Sequence, residues 1–482
     1  MNFKPVFKPY AHQEIEKENW EEPFWAWFWE MGLGKSKALI DNACYLFSNN
    51  CINGLLILAP KGTYLNWIFN ELPTHLPSDL KTRCAYWNAS APAGKRKIAS
   101  QLCENIQPDC LDILCVNLEA IRSERGLKVC EIFLRRHTAM MAIDESTAIK
   151  SDKSIQKKNA CLLGQMADYR RIMTGTPITQ SPLDIWGQAE FLKPGLLGYK
   201  NFFVFKANHA VEREITMGTR RFRKIVGFQD LNILSSKIDK FSTRLTKEEC
   251  LDLPKKIWNI HSVEQTKEQR RAYNELLKEA FTLLADEETV TTQSALTTLM
   301  RLHQINCGHV MSDNGKIANI KSNRIDALLE IVEDREDDII IWGTFQRDIW
   351  LIQEALTKKY GKESTVTYFG PNTQKEREKA LDRFKNDKEC RFIVGTPAAM
   401  GRGLTLTNSS FTIYYSLGYP LEPFLQSQDR NHRIGQTKAV NYVNLVIPGT
   451  VDEKVYKALR AKKNIADSIL DNWRQLFATN PT

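Results

Sequence analysis

The residues best suited to chemistry stand together in Met31-Gly32-Leu33-Gly34-Lys35-Ser36. Closely spaced glycines let backbone N–H groups turn inward on an anion, and a helix that starts just after them adds its positive end. In such a loop Lys35 reaches the β- and γ-phosphates of a nucleoside triphosphate, and Ser36 offers its hydroxyl to Mg²⁺. Met31, Gly32, Leu33, Gly34, Lys35 and Ser36 are therefore the candidate ATP-binding loop. The general pattern has one more glycine upstream; here that position is Trp29. A second candidate is the carboxylate pair Asp144-Glu145, at the end of an apolar run. Asp144 suits the Mg²⁺ shell and Glu145 suits the polarising of an attacking water. A lone Asp-Glu at a strand end is ordinarily plain surface. Downstream of a phosphate loop it gains weight, because two strands of one parallel sheet can end side by side.

These side chains need a strand before the loop and a helix behind it, and the flanking sequence supplies both. Residues 25–29 read as the strand and 37–47 as the helix. Further apolar runs at 55–59, 113–116, 140–143 and 171–173 alternate with helical patterns, the signature of a parallel α/β domain over residues 1–200. A second such domain covers 321–450, with strands expected at 339–342, 365–368, 391–394, 411–415 and 440–446. Residues 201–320 between them read as an insertion or linker region. It holds a hairpin over 211–229 that turns at Met217-Gly218-Thr219, and long helices over 266–305. Residues 451–482 read as a helical brace. The aromatic run Phe24 to Trp29 invites base stacking, but a buried central strand is the plainer reading.

Composition sets the frame. The chain has 482 residues, 43% hydrophobic and 26% charged, with a net charge of +9. That length suits two α/β domains, and the positive excess fits a polyanionic partner. No stretch approaches the roughly 18 consecutive apolar residues of a membrane span. No apolar leader follows the N-terminus, and the 11 cysteines form no C-x-x-C pair. A cytoplasmic protein with free thiols is expected.

Several longer segments carry a family resemblance. Phe7-Lys8-Pro9-Tyr10-Ala11-His12-Gln13 resembles the N-terminal motif of helicase superfamily 2, whose glutamine reads adenine; Gln13 matches. Glu30 to Lys35 matches the E-M-G-L-G-K form of the SWI/SNF-like group. Leu58-Ala59-Pro60-Lys61 with Asn66-Trp67 resembles the group's first nucleic-acid contact motif, which assigns Lys61 and Trp67 to DNA. Ile143 to Lys150 matches the magnesium motif, with Ser146-Thr147 where Ala-His is usual. Met173-Thr174-Gly175-Thr176-Pro177-Ile178 is similar to the segment that couples hydrolysis to movement, which assigns that role to Thr174, Gly175 and Thr176. The segment Gln426 to Gln436 departs from Q-A-x-D-R-x-H-R-I-G-Q only at Ser427. The resemblance makes Gln426 a coupling residue and Arg430 and Arg433 arginine fingers. Guanidinium forks suit a developing phosphoryl charge and keep their proton. Thr396 and Gly401 to Thr407 resemble a backbone-contact motif, which assigns Thr396, Gly401 and Gly403 to DNA, with Thr405 in place of the usual Asn.

The resemblance implies an α/β fold of two tandem RecA-like domains, separated by the insertion and closed by the C-terminal brace. It implies a compact, monomeric phage- or bacterial-type motor using ATP and Mg²⁺ to track on double-stranded DNA, intact or forked. The alternatives are a strand-separating DNA or RNA helicase, or a DNA-binding subunit of a larger complex. Three smaller features keep plainer readings. His303, Cys307 and His309 offer three zinc ligands without the usual spacing. Arg220 to Lys224 either grips a backbone or is a solvated hairpin tip. His432 braces its motif, having no nucleophile to serve.

Overall fold

The computed structural model describes residues 3–61, 63–88, 93–107, 109–217, 220–285, 292–312, 314–400 and 404–475. The chain divides into two compact units. The first consists of Met1–Arg213, Lys224–Asp252 and Lys463–Thr482, the second of Glu214–Arg223 and Leu253–Lys462.

The first unit is built on strands β1 (Phe24–Trp29), β2 (Gly54–Ala59), β3 (Thr82–Trp87), β4 (Leu111–Asn117), β5 (Ala139–Asp144) and β6 (Tyr169–Met173). In sequence a hairpin of β7 (Ala210–Met217) and β8 (Arg220–Phe228) follows, of which Glu214–Arg223 is counted with the second unit, then β9 (Ser242–Leu245). Seven of these strands form one sheet in the order β3-β4-β2-β5-β6-β1-β9, and every pairing in it is parallel. A parallel sheet covered on both faces requires strands that are apolar on both sides, and β2 and β4 are buried along their whole length. Alternate residues feed two separate cores. Phe28, Leu56, Leu58, Met141 and Ile143 pack with helices Glu124–Arg136 and Ile185–Leu192 on one face. Trp27, Trp29, Leu55, Ile57 and Met140 pack with helix Lys35–Ser48 on the other. Trp27, Phe28 and Trp29 are all buried, so the aromatic run is core and not a base-stacking platform.

The second unit holds β10 (Lys256–Ser262), the short pair β11 (His309–Met311) and β12 (Ile317–Asn319), then β13 (Ile339–Trp342), β14 (Thr365–Tyr368), β15 (Phe392–Gly395), β16 (Phe411–Tyr414) and β17 (Val440–Val446). Its six-stranded sheet runs β10-β17-β16-β13-β15-β14, again parallel throughout. Ile339, Ile341, Val394 and Ile413 face helices Arg324–Glu333 and Gln346–Tyr360. Ile340, Trp342, Ile393 and Tyr414 pack with Tyr273, Leu302 and Phe384.

Residues 201–320 are therefore more than an insertion. They contribute β9, paired with β1, to the first sheet and β10, paired with β17, to the second. The expected hairpin is present as β7 and β8, with Gly218 and Thr219 outside the described residues. The expected helices are Lys267–Ala285 and Thr292–Asn306, and the brace is helix Val451–Gln475. Among the described residues, no helix is long and apolar enough to cross a membrane.

Candidate nucleotide site

The C-terminal ends of β1, β6 and β5 lie side by side, with Trp27 in register with Met173 and Met173 with Asp144. Each strand then releases its motif at the same edge of the first sheet. The loop after β1 turns through Gly32 at φ 86° and Gly34 at φ 76°, conformations that L side chains rarely adopt. Helix Lys35–Ser48 begins directly behind Gly34.

The loop is held from below by the N-terminal motif. Gln13, buried, accepts from Tyr10 N through Oε1 (3.0 Å) and donates from Nε2 to Gly34 O (3.0 Å). A Cβ on Gly34 would stand 2.4 Å from that Nε2, so only glycine fits the contact. His12 Nε2 lies 2.9 Å from Leu33 O, and its ring meets Trp29 edge-on. The short helix Ala11–Glu16 is fixed to the sheet by Glu16, which accepts from Trp27 Nε1 and from Thr243 Oγ1, both at 2.6 Å. Burial pushes the Glu16 carboxyl above its ordinary range, against the pull of these hydrogen bonds. Glu16 escaped the sequence reading, and His12 was read only as a member of the N-terminal motif; the folded helix is what turns their proximity to Gln13 into contact. Beside them lies a cavity of about 800 Å³, lined by Tyr10, His12, Ile15, Thr243, Arg244 and Glu249 among others.

Lys35 Nζ donates to Trp29 O (2.8 Å) and Glu30 O (3.2 Å), which lays the ammonium along the loop. Ser36 is half-buried in the first helical turn. Asp144 closes β5, and Glu145 follows at φ 52°, ψ 59°, a left-handed conformation that swings it away from the strand direction. Thr174 Oγ1 donates to Glu145 Oε2 at 3.2 Å and accepts from Thr176 N at 3.2 Å. A Cβ on Gly175 would lie 3.3 Å from Met31 N and 3.4 Å from Trp29 O, so this loop rests against the phosphate loop.

The departure at Ser146 has a structural reason. Its hydroxyl donates to Gln188 Oε1 (2.7 Å), and Gln188 Nε2 donates to Pro177 O (2.8 Å), tying the carboxylate segment to the Thr174–Ile178 segment. Lys150 adds a second tie, donating to Thr179 Oγ1 at 2.5 Å.

The two nucleic-acid candidates of this unit part company. Lys61 is exposed at the end of β2, with its backbone N–H on Glu119. Trp67 is not a surface residue. It is 2% exposed and its Nε1 donates to Asp144 Oδ2 at 3.0 Å, so the indole faces the core.

In the second unit, the segment Gln426 to Gln436 is held by its own side chains. Arg430 donates from Nε to Gln426 O (2.9 Å) and from Nη1 to Leu404 O (3.0 Å); Arg433 Nη1 reaches the same Leu404 O at 3.2 Å. Gln426 Nε2 bonds Glu422, and His432 Nε2 lies 2.8 Å from Pro254 O, a bracing contact. Gln436 Nε2 spans Thr407 O, Ser409 O and Asn431 O. Ser427, the one departure in the segment, shares a 2.7 Å hydrogen bond with the buried hydroxyl of Tyr414. Thr396 follows β15, and its carbonyl accepts from Ala399 N and Met400 N. Gly401 and Gly403 lie outside the described residues. His309 pairs with Asp348 at 2.8 Å while His303 approaches Asp452, and no metal-holding cluster of His, Cys, Asp and Glu occurs among the described residues.

The residues at the first sheet's edge fit a triphosphate with Mg²⁺: turned glycines, a helix N-terminus, a lysine, and only oxygen donors, Ser36 and Asp144, for a hard cation. A glycine loop, a lysine and a carboxylate pair at adjoining parallel strand ends define a phosphate-loop α/β protein. The description "SNF2-related domain" matches residues 28–311, and "Helicase conserved C-terminal domain" matches residues 323–435. With more than half of its length matched by the first, the chain belongs to the SNF2-related family.

Among curated relatives, an "Uncharacterized ATP-dependent helicase" of Mycoplasma pneumoniae is 26% identical over 92% of this chain and 40% of its own length. The "SWI/SNF-related matrix-associated actin-dependent regulator of chromatin subfamily A member 1" of Mus musculus is 25% identical over 92% of this chain and 41% of its own. The human "Chromodomain-helicase-DNA-binding protein 1" is 25% identical over 90% of this chain and 25% of its own. This chain thus spans well under half the length of these curated relatives. A solved Sulfolobus solfataricus SWI2/SNF2 ATPase core in complex with dsDNA has a TM-score of 0.44 at 25% identity, covering 98% of this chain and 95% of that one.

Proposed function

We propose that the chain hydrolyses ATP and uses the energy to track along double-stranded DNA. The observation that carries this reading is the convergence of Lys35, Asp144, Glu145 and Thr174 at the adjoining ends of β1, β5 and β6. Family membership supports it, as do relatives named for ATP-dependent helicase activity and for DNA binding. The loop amides and Lys35 bind the phosphates; the lysine exchanges the carbonyls of Trp29 and Glu30 for phosphate oxygens. Ser36 and Asp144 hold Mg²⁺, which supplies neutralisation of phosphate charge when bound. Glu145 orients a water whose oxygen forms the new bond to the γ-phosphorus as the bond to ADP breaks, and the water's proton leaves toward the carboxylate. Thr174 senses which state Glu145 is in, since it bonds both Glu145 and the following backbone. The cavity beside Tyr10 and His12 takes the base. Gln13, whose amide already clasps Gly34, links base to phosphate loop. Arg430 and Arg433 supply charge to the transferring phosphoryl group, and Lys61 and Thr396 touch the DNA backbone.

The experiment is steady-state ATP turnover with duplex DNA, single-stranded DNA, forked DNA and RNA, at several salt concentrations. The reading expects the strongest stimulation by duplex, with binding that weakens steeply as salt rises because counterions are released. Equal stimulation by single-stranded RNA would move the chain to the RNA-helicase alternative.

A further inference from the structure

Trp67 and Asp144 come from different stretches of the first unit, yet a buried indole donates to a half-buried carboxylate. The indole Nε1 donates to Asp144 Oδ2 at 3.0 Å, and the ring is 2% exposed. An indole N–H can only donate and never carries charge, so it fixes the direction of a carboxylate without neutralising it. A buried donor of this kind is also one that solvent does not replace. Partners that orient metal-binding carboxylates are generally as consequential as second contacts to the ion itself.

The segment that carries Trp67 is internally braced. Thr63 N and Tyr64 N both bond Pro60 O, at 2.8 and 3.0 Å. Asn66 Nδ2 donates to Glu71 Oε1 at 3.0 Å, and Asn70 Nδ2 donates to Asn66 Oδ1 at 2.8 Å. A π-helical turn over Trp67–Glu71 follows helix Tyr64–Asn66. The exposed Lys61 stands at the start of this segment and the buried Trp67 near its end. The strand before it, β2, is hydrogen-bonded to β5, which ends in Asp144.

We propose that Trp67 is a positioning residue for the metal-binding carboxylate Asp144, through which the braced turns over residues 63–71 set that carboxylate's orientation. The proposal rests on the nucleotide reading of the site. It assigns Trp67 a role opposite to its expected one: it acts inward on the metal site and not outward on DNA.

The test uses the full chain with ADP, and Mn²⁺ as the probe, followed by the paramagnetic resonance signal of the bound ion. Two variants remove the donor: Trp67→Phe, and replacement of Trp67 by 3-benzothienylalanine, which keeps the ring shape with sulfur in place of N–H. The Mn²⁺ affinity of the ADP-loaded chain should fall about tenfold or more, while ADP affinity in EDTA stays at the wild-type value. Unchanged Mn²⁺ affinity in the benzothienyl variant overturns the proposal, as does a parallel loss of metal-free ADP affinity, which marks a merely structural role. If Trp67→Phe does not fold, the isosteric variant decides the question by itself. A wild-type chain that takes up no Mn²⁺ with ADP sinks the nucleotide reading and this proposal together; a binding wild type matched by its variant sinks the proposal alone.

Discussion

The two units solve the same problem, holding their candidate site side chains still, by different means. In the first, Lys35, Asp144, Glu145 and Thr174 come from separate stretches and meet because β1, β6 and β5 are neighbours in the sheet. In the second, Arg430 and Arg433 sit in one continuous segment whose own members fasten it down, through Leu404 O, Thr412 and Tyr442. A site assembled by topology depends on close backbone approach, so glycines and strand register govern it. A site assembled within one segment depends on buried hydrogen bonds, so polar side chains govern it. The same substitution type should therefore do different damage in the two units.

The largest expected effect lies in the second unit. Arg433→Ala should lower kcat by about 10³–10⁵ with nucleotide affinity retained, measured by single-turnover hydrolysis beside equilibrium nucleotide binding. A loss of affinity without a loss of rate would assign Arg433 to ground-state binding and remove the contrast. Next comes Glu145→Gln, which should reduce hydrolysis by roughly 10²–10⁴ and leave ATP bound, since the amide keeps the size but cannot take a proton. Turnover at the wild-type rate would remove Glu145 from the chemistry.

Gly34→Ala tests the dependence on backbone approach. The new Cβ meets Gln13 Nε2 at 2.4 Å at a φ of +76°. Strain of about 1–2 kcal/mol in the left-handed region should weaken nucleotide binding roughly tenfold, read by titration with a fluorescent ATP analogue. Undiminished affinity would mean that the Gln13 clasp is dispensable. The smallest effect belongs to Ser427→Ala. Removing the partner of the buried Tyr414 hydroxyl should cost about 1–2 kcal/mol in urea unfolding. Adding Tyr414→Phe should recover most of it, because the orphaned hydroxyl goes too. No recovery in the double variant would assign the cost to packing and not to the hydrogen bond.

The contrast also explains which parts were legible in the sequence. Central strands such as β2 and β13 are buried on both faces and appear as unbroken apolar runs, and β4 carries one at Ile113–Val116. The short pair β11 and β12 escaped, as did β3, β9 and β10, which are edges of the two large sheets. Their sequences, TRCAYW, STRL and KIWNIHS, mix polar and apolar residues because one flank is left open. Short motifs carried the phosphate loop and the carboxylate pair, since their chemistry demands those residue types in that order. What spacing could not supply was direction. Trp67 follows a nucleic-acid motif in sequence, yet its ring points to Asp144. The odd residue Ser427 became intelligible only when Tyr414 was found against it. Gln13 was readable as part of the nucleotide site, but its clasp on Gly34 depends on the turn of helix Ala11–Glu16.

The most direct test of the central claim is displacement of a third strand from a triplex on intact duplex DNA by the full chain. The account predicts ATP-dependent displacement by the wild type and none by Glu145→Gln, with the underlying duplex left paired. Displacement that proceeds equally in the Glu145→Gln variant, or a wild type that hydrolyses ATP on duplex DNA yet never removes the third strand, would contradict it.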